Sequence, residues 1–402
     1  MRFLIFALFL LLQACGNENR LDNTAPPSAP LSTKPIEPPT NTVAVVVDSG
    51  PLISGKSINT INVPYVSITV CVPGSSTQCQ TIDHILLDTG SIGLRIISSA
   101  LAVNMLLPAM LNTEGRPVVE CTQFSDGYSW GSVKQADVRI AGEVARNIPM
   151  QIIGDNTFPS VPSGCSSVLP AQNTVETFHA NGVLGVAPFV QDCGANCADK
   201  NIEGRYYACS DQDCRSTAMP LAKQVSNPVA SFQKNNNGIV LQLPEIDAKG
   251  VASATGLLTF GIGTQSNNSL GSANIYTLSS VGNLETVYQG RVLQGYFDTG
   301  TNALFFADPA IAFCNSAARM LEFYCPSSSL SRSAVNTGTN GRSGSINFDV
   351  ARGNSTVFGK QAGIGVDDRE FIWGLPFFFG RTVYTAIEGM DAAGTKGPYV
   401  AY

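Results

Sequence analysis

From Val43 onward the hydrophobic positions fall in short runs, many alternating with polar ones. They read "VPYVSITV" (63–70), "HILLDTG" (84–90), "VKQADVRIAG" (133–142), "NIPMQIIG" (147–154), "GIVLQLP" (238–244), "GLLTFGIG" (256–263), "SINFDVARG" (345–353), "STVFGK" (355–360) and "RTVYTAIEG" (381–389). Alternation with a period of two puts one face of a strand on a core, and Gly, Pro, Asn and Ser bound each run, so all are predicted β-strands. Helical candidates are few: "SSALAVNMLLPAM" (98–110), "VASFQKNN" (229–236) and "DPAIAFCNSAARML" (308–321). About 360 residues are too many for one small core, so the pattern predicts a mostly β protein of two lobes with a few short helices.

No short repeat runs through the chain, but one long-range echo does. "ILLDTGSIGLRI" (85–96) returns as "QGYFDTGTNALFF" (294–306), placing Asp88 and Asp298 one in each expected lobe. Each half also carries a later strand with two apolar residues before Gly: Val183-Leu184-Gly185 in "GVLGVAP" and Ile372-Trp373-Gly374 in "FIWGLPF". A carboxylate at the end of a buried strand carries a desolvation cost that a partner must offset. "VAVVVDSG" (43–50) imitates the pattern at Asp48, but Pro51 follows where an apolar strand should, and no hairpin precedes it. Val43 to Val47 is therefore expected as an N-terminal strand, with Asp48 in a turn.

The first residues, "MRFLIFALFLLLQACGNENR", form an export signal: Arg2, an apolar run Phe3 to Leu12 too short to span a bilayer, and small residues before Cys15. "LQAC" resembles a bacterial lipobox, which implies lipidation of Cys15, and Gly16 after it implies sorting to the outer membrane. An ordinary signal peptide with a chance Cys is the alternative. Residues 16–42 are rich in Pro, Ser, Thr and Asn and cannot bury enough surface to order themselves, so they are expected as a tether. A folded pro-segment would need apolar periodicity, which is missing. The expected organisation is a signal peptide at 1–14, lipidated Cys and tether at 15–42, an N-terminal lobe at 43–225 with a Cys-rich insertion at 189–220, and a C-terminal lobe at 226–402. The expected location is the bacterial cell envelope, anchored by lipid alone and facing the periplasm or the cell surface.

Charged residues make up 13% and the net charge is -6, which argues against nucleic-acid binding. Of the 11 cysteines, Cys15 is assigned to lipid, leaving an even number for disulfides in an oxidising compartment. Proximity suggests Cys71 with Cys79, Cys193 with Cys197, Cys209 with Cys214 and Cys314 with Cys325, leaving Cys121 for Cys165. Spacing alone does not fix connectivity. A zinc site in "CGANC…CSDQDC" lacks an accompanying His, so no metal is expected. His84 and His179 are the two histidines, and neither has a neighbouring Ser elbow, so a His-based nucleophile system is disfavoured.

The paired motifs resemble those of the pepsin-like aspartic peptidases, from about residue 43 to 402. "NVPYVSITV…HILLDTGSIGLRI" is similar to that family's opening hairpin and first active-site loop, "NGVLGVAP" to the strand threading it, "GYFDTGTNALFF" to the second loop, and "FIWGLPFFFGRTVYTAIEG" to the closing strands. The resemblance implies a bilobal fold of β-barrel lobes with a cleft between them, and Asp88 and Asp298 as a catalytic pair. Two carboxylates about 3 Å apart share a proton, one acting as base toward a water and the other as acid, with no cofactor. Gly90 and Gly300 permit tight turns, the Thr89 and Thr299 hydroxyls brace the loops against each other, and Ser91 and Thr301 hydrogen-bond the outer carboxylate oxygens.

The sequence departs from the family above the cleft. Arg95 stands where a Trp is usual, Ile92 and Asn302 stand where Ser is frequent, and the flap region reads "CTQFSDGYSWGSVKQADVRI". Phe124, Tyr128, Trp130 and Arg95 are candidate flap or substrate-binding residues, on a flap tied down through Cys121. The plainer reading makes the three aromatics cross-strand packing. The function implied is a monomeric aspartic endopeptidase acting on peptides or unfolded proteins. The alternatives are a non-hydrolytic binding, adhesin or inhibitor-like protein of the same fold, and a peptidase dedicated to one bacterial partner.

Overall fold

The computed structural model describes residues 40–402, apart from 211–212, 315–322 and 366. The expected signal peptide, Cys15 and most of the tether lie outside the described residues, as does much of the helix expected at 308–321.

The alternating runs Val63–Cys71 and Cys79–Asp88 pair antiparallel, and the Cys71–Cys79 disulfide closes the hairpin. Their inward residues, Val66, Ile68, Val70, Ile85 and Leu87, are buried. The chain turns at Asp88 into the strand Ile92–Ile97. The later strand Gly182–Val186 then threads between these two, parallel to the first, with Leu184 opposite Leu87, and antiparallel to the second. The far half repeats the arrangement. Arg291–Phe297 leads to Asp298, Glu370–Trp373 runs parallel to it with Trp373 opposite Phe297, and Leu304–Phe305 meets that strand antiparallel. The two-apolar-plus-Gly strands are therefore the inserts that fix each Asp turn from behind.

Among the described residues these units sit in a 15-stranded sheet and a 7-stranded sheet. The larger sheet is continuous because Thr42–Asp48 pairs on one edge with Val63–Cys71 and on the other with Ala254–Phe260. Gly238–Gln242, Thr382–Ala386 and Tyr399–Ala401 extend it toward the C-terminus. The architecture is mostly β, as expected. No helix among the described residues is long and apolar enough to cross a membrane.

Three expectations are corrected. Residues 98–110 form two short 3-10 turns, Ser98–Ala100 and Ala102–Leu106, because extended Leu101 breaks the run and Pro108 cannot continue it. Residues 229–236 supply only the 3-10 turn Pro228–Ser231, whose Asn227 cap accepts the Val229 N–H at 3.0 Å. "STVFGK" makes no strand. Val357 forms one isolated bridge to Val251, preceded by a turn in which Asn354 accepts the Thr356 amide.

Among the described residues all five disulfides join the cysteines expected to pair, Cys121–Cys165 spanning the longest loop. Such a disulfide set marks an exported protein. Cys193, Cys197, Cys209 and Cys214 are all spent in disulfides, which removes the zinc alternative for them.

Candidate active site

Asp88 and Asp298 are held by matching turns. The Gly90 N–H donates to Asp88 Oδ1 at 2.7 Å and the Ser91 hydroxyl to Oδ2 at 2.5 Å. In the other turn, the Gly300 N–H donates to Asp298 Oδ1 at 2.8 Å and the Thr301 hydroxyl to Oδ2 at 2.6 Å. Each carboxyl thus has one backbone and one side-chain donor from its own loop, the usual way to hold an acid in a fixed orientation.

The two loops grip each other through their threonines. Thr89 Oγ1 donates to the Phe297 carbonyl at 3.1 Å and accepts the Thr299 N–H at 3.0 Å. Thr299 Oγ1 donates to the Leu87 carbonyl at 2.7 Å and accepts the Thr89 N–H at 3.0 Å. Both threonines are buried, so these four bonds form away from water and set the separation of the loops.

Close apposition explains the two glycines better than turn conformation does. A Cβ on Gly90 would stand 2.6 Å from the Asp298 carboxyl carbon, and one on Gly300 would stand 2.8 Å from Asp88 Oδ1. Each carboxyl therefore packs against the backbone of the opposite loop. Burial, then the charge of Asp88 and a hydrogen bond shared with it, push the Asp298 carboxyl up to about 8, against the donors from Thr301 and Gly300. Two carboxyls packed this closely disfavour ionisation of both together.

Asp48, the near-copy, ends the first strand. Its carboxylate accepts the Gly50 N–H at 2.8 Å and lies 3.4 Å from His84 Nε2.

The expected flap is the hairpin of Val118–Gln123 and Tyr128–Ile140, turning at Phe124–Gly127. It is held on both edges. Val118–Gln123 pairs with Tyr206–Ser210 from the Cys-rich insertion, and Cys121 is bonded to Cys165. On the other side Tyr128 exchanges backbone bonds with Pro170 and Gln172, and the Trp130 N–H donates to Asn173 Oδ1 at 2.9 Å.

Of the four flap candidates, only Phe124 sits at the turn, half-buried and edge-on to Phe178. Tyr128 and Trp130 are buried beside Cys121, Cys165 and Tyr207, and Trp130 Nε1 donates to the Phe158 carbonyl at 2.7 Å. For these two the plainer packing reading describes the placement. Arg95 meets the hairpin from its buried side, through Glu120 and Thr122. It is 1% exposed and bonded to Glu120, Asp192, Thr122 and the Ile92 carbonyl, because a charge on the inner side of that strand finds carboxylates from two other segments there.

Sequence reasoning missed Asn62. Its amide donates to the carbonyls of Asn302 at 3.0 Å and Phe358 at 2.9 Å, and its oxygen accepts the Phe358 N–H at 2.8 Å. It ties the start of the first hairpin to the second Asp turn, and no motif announces it. Glu120, Asp192 and Tyr206 were missed as well. A charged residue inside an apolar strand, such as Arg95, is the signal that could have prompted a search for partners.

A family model described as Protein of unknown function (DUF3443) matches residues 37–402. No curated protein matches the chain. Among solved structures, the aspartic proteinase from Irpex lacteus is similar at 13% identity with a TM-score of 0.47, over 90% of this chain and 96% of that one.

Proposed function

The chain belongs to the Protein of unknown function (DUF3443) family, and we propose that it is an aspartic endopeptidase hydrolysing peptide bonds with a water held between Asp88 and Asp298. One observation carries this reading: two Asp-Thr-Gly turns, gripped together through Thr89 and Thr299, press each carboxyl against the opposite loop's glycine.

The chemistry follows from the shared proton. The ionised carboxyl takes a proton from the water as it attacks the peptide carbonyl carbon, and the protonated one gives its proton to the carbonyl oxygen. A tetrahedral diol forms. Its collapse breaks the C–N bond: the proton taken from water passes to the leaving amine, and one diol hydroxyl returns its proton to the carboxyl that had given one up. Gly90, Ser91, Gly300 and Thr301 hold the carboxyls in place, so little reorganisation is needed as charge moves. The substrate is an extended peptide or unfolded protein that adds as a strand beneath the hairpin turning at Phe124–Gly127. In the cell the chain is anchored through lipidated Cys15 at the outer membrane.

The test uses the mature exported protein and a panel of unfolded proteins across acid and neutral pH. Cleavage that disappears in Asp88→Asn and in Asp298→Asn supports the reading. Binding of a statine-containing peptide at one-to-one stoichiometry, lost in Asp298→Asn, supports it independently. A wild-type protein that binds extended peptides without cleaving any of them would instead be the non-hydrolytic binding protein.

A further inference from the structure

Arg95 is unused by that chemistry, yet it is among the most buried charged groups of the molecule. It lies on Ile92–Ile97, the strand that leaves the Asp88 turn. Its Nη1 donates to the Ile92 carbonyl at 2.6 Å, next to Ser91. Its Nε donates to Thr122 Oγ1 at 2.8 Å, and its Nη2 to Glu120 Oε1 at 2.6 Å, both on the first strand of the hairpin. Nη2 also reaches Asp192 Oδ2 at 3.2 Å, in the segment that follows "GVAPFVQ". One planar guanidinium thus joins three separate segments, a task its fixed fork suits and an ammonium does not.

The partners are themselves fixed. Tyr206 donates to Asp192 Oδ1 at 2.7 Å and accepts the Val225 N–H at 2.8 Å. Thr122 donates to Gln151 Oε1 at 3.2 Å, and Gln151 Nε2 donates to the Glu120 carbonyl at 2.8 Å. Two carboxyls face one cation, and burial with the nearby Glu120 charge holds Asp192 well above the usual carboxylate range. A well-packed apolar cluster would serve stability as well or better, so a buried ionic site of this kind needs a geometric reason.

We propose that Arg95 is a positioning residue: its guanidinium, with Glu120 and Asp192, is the strut that fixes the hairpin Val118–Ile140 relative to the Asp88 turn. The proposal rests on the peptidase reading for its consequence, since the hairpin is the element expected to close over a bound peptide. Loosening the strut lets the hairpin move off the peptide, while the Asp88 and Asp298 turns keep their own bonds.

Two variants test it. Arg95→Met with Glu120→Gln and Asp192→Asn removes all three charged groups together, so no charge is left buried alone. Arg95→Lys keeps the charge and loses the fork. Hydrogen exchange of amides 118–140 is read against the strand Gly238–Gln242 as an internal control, alongside affinity for a statine-containing peptide and KM against kcat. The triple variant is expected to stay folded with the control strand protected, while hairpin exchange quickens and peptide affinity falls, each by about tenfold, with KM moving more than kcat. Arg95→Lys is expected to fall between. Hairpin exchange and peptide affinity equal to wild type in the triple variant would overturn the strut, and wild-type behaviour in Arg95→Lys would overturn the need for a guanidinium. A wild-type protein that neither binds nor cleaves peptides removes the peptidase reading alone, because the exchange measurement still decides the strut.

Discussion

The two Asp turns are near-copies, but what stands behind them differs. Behind Asp88 the support is ionic: Arg95, Glu120, Asp192 and Tyr206, drawn from three other segments of the N-terminal half. Behind Asp298 it is neutral and aromatic. Trp373 lies between Phe297 and Phe371, its Nε1 donates to Asn336 Oδ1 at 3.2 Å and Thr286 Oγ1 at 3.3 Å, and Asn336 in turn donates to the Tyr402 hydroxyl at 3.1 Å. The same turn can therefore be held by charge or by ring packing. Turn geometry is set locally by the Asp-Thr-Gly chemistry, and the supports are free to serve other ends. The ionic one reaches out to the hairpin and to Asp192 and Tyr206; the aromatic one stays within the C-terminal half.

The largest effect tests whether the turns are equal. Asp88→Asn and Asp298→Asn are each expected to lower the cleavage rate by on the order of 1000-fold or more, with cooperative unfolding retained. Cleavage of a fluorogenic peptide and a urea melt measure both. A variant keeping a tenth of wild-type activity would break the symmetry.

The supports should separate next. Arg95→Met alone leaves Glu120 and Asp192 without their cation and is expected to cost about 3–5 kcal/mol. Asn336→Leu leaves neutral donors unpaired and is expected to cost about 1–3 kcal/mol. Urea denaturation of the two side by side gives the comparison, and equal losses would dissolve it.

The grip between the turns should be symmetrical. Thr89→Val and Thr299→Val each remove one donor and one acceptor from a buried site, at about 1–3 kcal/mol apiece. The double variant is expected to lose less than the two together, because both residues serve one lattice. Strictly additive losses would mean that the two hydroxyls act independently.

The last effect is a slope with pH. Asp298 titrates at about 8 in the folded protein, above an ordinary carboxyl, so the folded state holds a proton that the unfolded chain has released. Its contribution is fully present below the unfolded value and is lost as pH rises through about 8, at no more than about 1.4 kcal/mol per pH unit. Wild type should lose stability relative to Asp298→Asn across that window, read as diverging melting temperatures, and its hydrolysis should fall over the same upper limb. Parallel stability curves would show that the pair does not share its proton.

Much of the fold was legible because strands announce themselves locally. "VPYVSITV" and "HILLDTG" alternate, turn residues bound them, and Cys71 and Cys79 lie close enough to close the hairpin. The expected helices at 98–110 and 229–236 are instead 3-10 turns, each ended by an extended residue, Leu101, Leu107 or Phe232. At the site, Asp88, Asp298 and their hydroxyl neighbours were legible from a repeated motif. Asn62, Glu120, Asp192 and Tyr206 were not, because each acts on segments remote in sequence and none sits in a motif. Arg95 is legible as an unusual residue, but a charge in an apolar strand does not say which partners will meet it.

By itself, the sequence determined the alternation of the strands, the two Asp turns with their own donors, and the short disulfide loops. Those depend on residues a few positions apart, where backbone geometry leaves few choices. Only the tertiary structure decided that Asp88 and Asp298 face each other across Gly90 and Gly300, and that Arg95 is a buried strut. Both depend on which strands become neighbours, and that choice is made by the packing of the whole sheet.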